Sequence, residues 1–165
     1  MSYLLAIDPG VHENYVARFA DGVLFSVLDW PTGALIRSTY DVCIFERPQF
    51  DGRVHKHVID LAVNAALLAG STRAPLIRGV EPREWKGSQR KPVHHLRIWR
   101  ALSPAERKVL PDDTHDRITK AILKGAKDAW RKPSVTYYGK AKGSEIHNVV
   151  DAVGLGLFQL GRLVP

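Results

Sequence analysis

Apolar residues come in short bursts along this chain, and their spacing changes partway through. Tyr3-Leu4-Leu5-Ala6-Ile7 is a continuous apolar run closed by Asp8 and a Pro9-Gly10 turn, which predicts a buried strand over Tyr3–Asp8. Tyr15–Phe19 and Val23–Leu28 predict two more strands. Ala20-Asp21-Gly22 lies between them, and Asp-Gly is a strong hairpin signal, so three antiparallel strands open the fold. Trp30-Pro31-Thr32-Gly33 reads as a loop, and Ala34–Tyr40 is ambiguous. Val42-Cys43-Ile44-Phe45 is again continuous and rich in strand formers, as expected of a central strand buried on both faces, and Glu46 closes it.

From His57 the period becomes helical. Val58, Leu61, Ala62, Ala65 and Leu68 recur close to every 3.6 residues, with Gly70 as the expected stop. Leu76–Val80 predicts a short strand, and the polar stretch from Glu81 to Pro92 reads as a basic loop. His94–Ala101 predicts a helix. Ser103-Pro104-Ala105-Glu106 has capping-box form, with proline at the first helical position. Asp113–Ala129 is amphipathic around Ile118, Ile122 and Ala126. Arg131–Lys142 has a basic, tyrosine-rich loop composition. His147–Leu160 predicts a last helix with Val150, Val153, Leu157 and Leu160 on one side. Gly154 and Gly156 within it point to close helix packing. Strands first, then strands alternating with helices, is an α/β pattern with a mixed sheet.

Three carboxylates stand out against that pattern. Asp8 and Glu46 each end an apolar run, at the rim of a sheet, and Asp151 lies in an apolar helix. Such groups, brought from distant parts of a chain, make an oxygen-rich pocket suited to Mg²⁺ or Mn²⁺. Charge adds a partner. The chain carries a net +7, but residues 1–70 hold 5 basic and 8 acidic side chains, residues 71–142 hold 18 and 7, and residues 143–165 hold 1 and 2. The positive charge is concentrated in the middle, between the carboxylates, and favours a polyanionic partner such as nucleic acid. At 165 residues the chain is expected to be one domain. No run is long and apolar enough to span a membrane, so the expectation is a cytoplasmic protein. The single cysteine, Cys43, lies in an apolar strand and is expected to be core. His94-His95 has no evident partner and reads as structural.

The order of elements resembles the ribonuclease H-like nucleases, and within them the RuvC-like Holliday junction resolvases. Ile7-Asp8-Pro9-Gly10 is similar to the Asp-Pro-Gly that ends that family's first strand. Phe45-Glu46 resembles its second acidic position, and His147…Asp151-Ala152 its late ligand-bearing helix. The resemblance covers nearly the whole chain. It implies a mixed five-stranded sheet, three antiparallel strands followed by parallel strands, flanked by helices, in a single nuclease domain over residues 1–165. It implies a metal-dependent endonuclease resolving four-way DNA junctions, working as a homodimer in the cytoplasm of a bacterial or phage-infected cell.

Two Mg²⁺, or Mn²⁺, roughly 3.5–4 Å apart would serve each active site. Asp8 would bridge them, Glu46 and Asp151 would each hold one, and His147 would be a fourth ligand or orient the attacking water. Relatives place the penultimate ligand three positions before the final Asp. Here that position is Asn148, and His147 stands four before, so both are within helical reach. Phe50 would take the part of a junction-wedging aromatic. Arg47, Arg53, Lys86, Arg90 and Lys91 are expected to touch phosphates, with Lys132, Tyr137, Tyr138, Lys140 and Lys142 as a strand-tracking surface. The same ligands would serve a nuclease for flaps, forks or structured RNA. A non-catalytic DNA-binding module is disfavoured, because unneutralised carboxylates would repel DNA. An actin-like ATP-binding protein is disfavoured because the chain lacks a duplicated half and a second phosphate loop.

Overall fold

The computed structural model describes residues 1–10, 13–31, 33–49, 56–128 and 146–164, without the side chains of residues 124–128 and 146. Phe50, Arg53, Lys132, Tyr137, Tyr138, Lys140 and Lys142, and with them the loop over residues 131–142, lie outside the described residues.

Five strands, β1 (Tyr3–Asp8), β2 (Glu13–Ala20), β3 (Val23–Pro31), β4 (Val42–Glu46) and β5 (Leu76–Val80), form one sheet in the order β3-β2-β1-β4-β5. β1 and β2 pair antiparallel, as do β2 and β3, while β4 runs parallel to both β1 and β5. This is the mixed five-stranded α/β arrangement expected from the sequence, three antiparallel strands followed by parallel ones. The β2–β3 turn has positive φ at Asp21 (48°) and Gly22 (80°), the backbone twist that a two-residue hairpin loop requires.

The helices are α1 (Lys56–Ser71), α2 (Pro82–Lys86), α3 (Lys91–Ala101), α4 (Pro104–Arg107), α5 (Thr114–Asp128) and α6 (Ile146–Gln159). None is long and apolar enough to cross a membrane among the described residues. Strand alternation divides the core in two. Leu5, Ile7, Val16 and Cys43 pack with Leu68 and Ala69 of α1 on one face. Leu4, Ala6, Ala17, Phe19 and Ile44 pack with Val150, Val153 and Leu157 of α6, Ile98 of α3 and Ile118 of α5 on the other.

Three expectations are corrected. β3 runs on through Trp30 and Pro31, which read as loop, because they pair with Asn14 and Glu13 of β2. The stretch from Glu81 to Pro92 is not a plain loop, because it contains α2 and the start of α3. Glu81-Pro82-Arg83-Glu84 begins a helix much as Ser103-Pro104-Ala105-Glu106 does. The Glu81 N–H donates to Glu84 Oε1 at 3.1 Å, and the Ser103 N–H donates to Glu106 Oε2 at 2.8 Å. Gly70 does not stop α1, which runs on to Ser71. The end is made instead by side chains. Ser71 Oγ donates to the Leu68 carbonyl and Thr72 Oγ1 to that of Ala69, both at 2.7 Å, before Arg73 turns the chain with φ 53°.

Gly154 and Gly156 are what allow α6 to lie so close to the sheet and to α3. A Cβ on Gly156 would stand 2.1 Å from Phe19 Cε2, and one on Gly154 would stand 2.4 Å from Ile98 Cδ1. Gly156→Ala should therefore overpack the core despite its better helix propensity, costing about 1–3 kcal/mol in urea unfolding. An unchanged or raised unfolding midpoint would show that Phe19 yields freely.

The far end of α6 is pinned by charge. Arg162 Nη1 and Nη2 donate to Glu106 Oε1 and Oε2, both at 2.7 Å, and Arg162 also donates to the carbonyls of Gly22 and Ala101. Leu24 N donates to the same carboxylate at 2.9 Å. The Arg162 guanidinium, with these backbone donors, holds Glu106 down from the usual 4.5 to about 2, outweighing the effect of its burial. The folded-state value is the lower one. Its contribution to stability is thus fully present above about pH 4.5 and fades as pH falls toward 2. The wild type should lose on the order of 2–3 kcal/mol over that window from this group. Glu106→Gln should be less stable at neutral pH and show a flatter acid limb; parallel profiles for the two proteins would contradict this.

Candidate active site

The alternation that builds the core also aims the carboxylates. Leu4 and Ala6 face α6, so Asp8, two residues on, leaves β1 on that same side. Ile44 faces α6, and Glu46 follows it in the same phase on β4. Parallel pairing sets Ile7 opposite Phe45, so Asp8 and Glu46 emerge next to each other just past the last register pair. On α6, Val150 and Val153 bury into the core while Asp151, 2% exposed, meets the sheet's carboxyl edge. Asp8 interacts through its charge with both Asp151 and Glu46.

Two cations sit among them. Lys86 Nζ lies 2.8 Å from Glu46 Oε2 and 3.4 Å from Asp151 Oδ2, and Lys91 Nζ lies 2.8 Å from the same Asp151 oxygen. Both lysines come from the stretch expected to be an outer, phosphate-touching loop. The short helix α2 turns Lys86 inward, and the first residue of α3 is Lys91. Trp85, fully buried, donates its Nε1–H to Glu46 Oε2 at 3.0 Å, and the Lys86 ammonium stands 4.6 Å from the centre of its ring.

His95 was not anticipated at the site. Its Nε2 lies 2.9 Å from Asp151 Oδ1. Burial lowers the His95 pKa, and the Asp151 charge and hydrogen bond oppose this. A carboxylate can only accept, which places the proton on Nε2. The α3 periodicity places His95 on the buried face, but nothing in the sequence pairs it with Asp151. His94 beside it is structural, as expected. Its ring meets Trp85 edge-on at 5.1 Å, and burial lowers its pKa to about 4.

The charges are unevenly satisfied. Burial, then the negative charges of Asp151 and Glu46, push Asp8 well above the usual carboxylate range, and Lys86 and Lys91 only partly offset this. Burial also raises Glu46, with Lys86 and the Trp85 N–H pulling against it. For Asp151 burial acts upward too, yet His95, Lys86 and Lys91 together hold it well below the usual range. Lys86 is raised, because Asp151, Glu46 and Asp8 overcome its desolvation.

Among the described residues no three His, Cys, Asp or Glu side chains are arranged to hold a metal ion as they stand. The donor chemistry nevertheless fits a hard divalent cation. Its oxygens are carboxylates, and the raised Asp8 marks negative potential that a cation would relieve.

The remaining expected contacts are dispersed. Arg47 Nη2 lies 3.3 Å from Glu81 and 3.4 Å from Glu84, on the surface near the end of β4. Arg90 is exposed immediately before α3. His147 and Asn148 occupy the first turn of α6, both half-buried, four and three residues before Asp151.

The contrast between two aspartates is testable without any substrate. Asp8→Asn should raise the melting temperature of the cation-free protein, because it removes a desolvated charge flanked by two others of the same sign. Asp151→Asn should lower it, by about 3–5 kcal/mol of stability, because two lysines lose a buried counter-charge. Equal effects of the two changes in a thermal melt with chelator would refute this division of roles.

No protein-family model matches this chain, and no curated protein sequence does. Among solved structures, T. thermophilus RuvC in complex with Holliday junction substrate aligns with 100% of this chain and 99% of its own, at 11% identity and a TM-score of 0.43. A second structure, Thermus thermophilus RuvC, aligns over 99% of each chain at 11% identity and a TM-score of 0.39. At these values the functional reading has to come from the chemistry of the site itself.

Proposed function

We propose that this chain is a single-domain, divalent-metal-dependent endonuclease for branched DNA, with four-way junctions its first substrate. The observation that carries this reading is the convergence of Asp8, Glu46 and Asp151, from β1, β4 and α6, beside Lys86 and Lys91. Buried acids held together by folding cost stability, and Asp8 in particular is only partly compensated by Lys86 and Lys91. Such a cost is the mark of a functional site. The choice of junctions rests on the sequence resemblance, which also motivates a homodimer: paired symmetric cuts need two sites related by a two-fold axis.

Asp8, Glu46 and Asp151 would hold Mg²⁺, or Mn²⁺, which when bound would polarise the phosphodiester and lower the pKa of the attacking water. The protein's own groups do the rest. His95 fixes the plane of the Asp151 carboxylate, and the Trp85 N–H fixes that of Glu46. Lys91, 37% exposed, can leave Asp151 to meet a non-bridging phosphate oxygen. Arg47 and Arg90, with Phe50, Arg53, Lys132, Tyr137, Tyr138, Lys140 and Lys142, are the other proposed DNA contacts. His147 is the proposed fourth site residue. Its imidazole would ligate Mn²⁺ better than Mg²⁺, or would hold the water.

A synthetic four-way junction, with matched flap and structured-RNA substrates, tests this in Mg²⁺, Mn²⁺, Ca²⁺ and chelator. Paired cuts in Mg²⁺ or Mn²⁺, none in chelator, and a loss of at least about 100-fold in Asp8→Asn are expected. Undiminished cutting in chelator or by Asp8→Asn would remove the reading, and preferred cutting of flaps or RNA would keep the nuclease and change its substrate. His147→Ala should slow cleavage more than Asn148→Ala. The reverse order would give the fourth place to Asn148.

A further inference from the structure

Two divalent ions side by side need enough negative charge around them to hold both. We propose that in this site the ammonium of Lys86 fills one of the two cation places, so that the protein binds one divalent ion per chain. This rests on the nuclease reading above and refines its cation count.

The position of Lys86 is the first argument. Glu46 and Asp151 are the two carboxylates expected to hold one ion each, yet Lys86 Nζ lies between them, at 2.8 Å from one and 3.4 Å from the other. An ammonium at those distances occupies the space an ion bound to both would need. Lys86 is also held there. It is 21% exposed, it closes a short helix anchored by buried Trp85, and its ammonium rests against the Trp85 ring. Lys91 differs: it is 37% exposed and pairs with Asp151 alone.

The charge balance agrees. Among the described residues, three carboxylates against two ammoniums leave one net negative charge, and neither His147 nor Asn148 adds another. One divalent ion brings the pocket to a single positive charge, which a phosphodiester then neutralises. Two would leave three positive charges around a carboxylate that is 2% exposed, where repulsion is poorly screened. Asp8 is the place left for the one ion. It makes no ion pair among the described residues, whereas Glu46 and Asp151 both do.

The test counts bound Mn²⁺ on the full chain by equilibrium dialysis, with the free ion read by electron paramagnetic resonance. Wild type should bind one Mn²⁺ per chain and Lys86→Met two, while Lys91→Met stays at one. Lys86→Arg, which keeps the charge, should also stay at one. Wild type binding two, or folded Lys86→Met still binding one, overturns the proposal. If Lys86→Met does not fold, the wild-type count decides alone. Two ions in a wild type that cuts junctions overturns only the role of Lys86. No bound Mn²⁺ and no cleavage in any divalent ion would overturn this proposal together with the nuclease reading.

Discussion

The carboxylate of Asp151 is the point on which the rest of the site leans. It is almost wholly buried, and each of its oxygens is claimed: Oδ1 by the His95 ring, Oδ2 by Lys91 and Lys86. Those three partners come from α2 and α3, so one aspartate ties two helices to α6. α6 is itself seated on the sheet by glycines that leave no room for a methyl group. Charge and packing thus support one another. Without the ion pairs the lysines would have to find water, and without the close approach of α6 the aspartate would not reach them.

Asp8 is the counterpart that the protein leaves unsettled. Within one pocket, one aspartate is over-compensated and another is under-compensated. A fold selected for stability alone would neutralise both, or use neither. The Glu106–Arg162 pair at the far end of α6 shows how this chain satisfies a buried acid when nothing more is asked of it. Four donors share its two oxygens there. Asp8 and Glu106 are thus opposite cases, one carboxylate raised by its neighbours and burial, the other held down by its donors.

Much of this is legible in the sequence, for identifiable reasons. Strand periodicity is strict, so a carboxylate ending an apolar run has to fall on a definable face at the sheet's edge. The positions of Asp8 and Glu46 in their apolar runs are enough to place them together. Asp151 follows from an apolar helix with one acid in it. What is not legible depends on short elements and long-range pairing. α2 spans Pro82–Lys86, too short for a hydrophobic period, and only the acid-proline-acid signature at Glu81–Glu84 announces it. Without α2, Lys86 falls on an outer loop rather than between Glu46 and Asp151. His95 looks like any buried histidine, since its partner lies on α6.

The parallel pairing of β1 with β4, followed by the return of α6, has a consequence in time. Asp8 is made before Glu46, and Lys86, Lys91 and His95 come later in the chain. The Asp151 segment is made after all of them. Until it leaves the exit tunnel, the two strand-end carboxylates and the two lysines lack the buried anion that orders them. A growing chain of this sequence therefore carries every other component of its site in an unassembled form. Until Asp151 is in place, none of these groups has the buried partner around which the pocket is built.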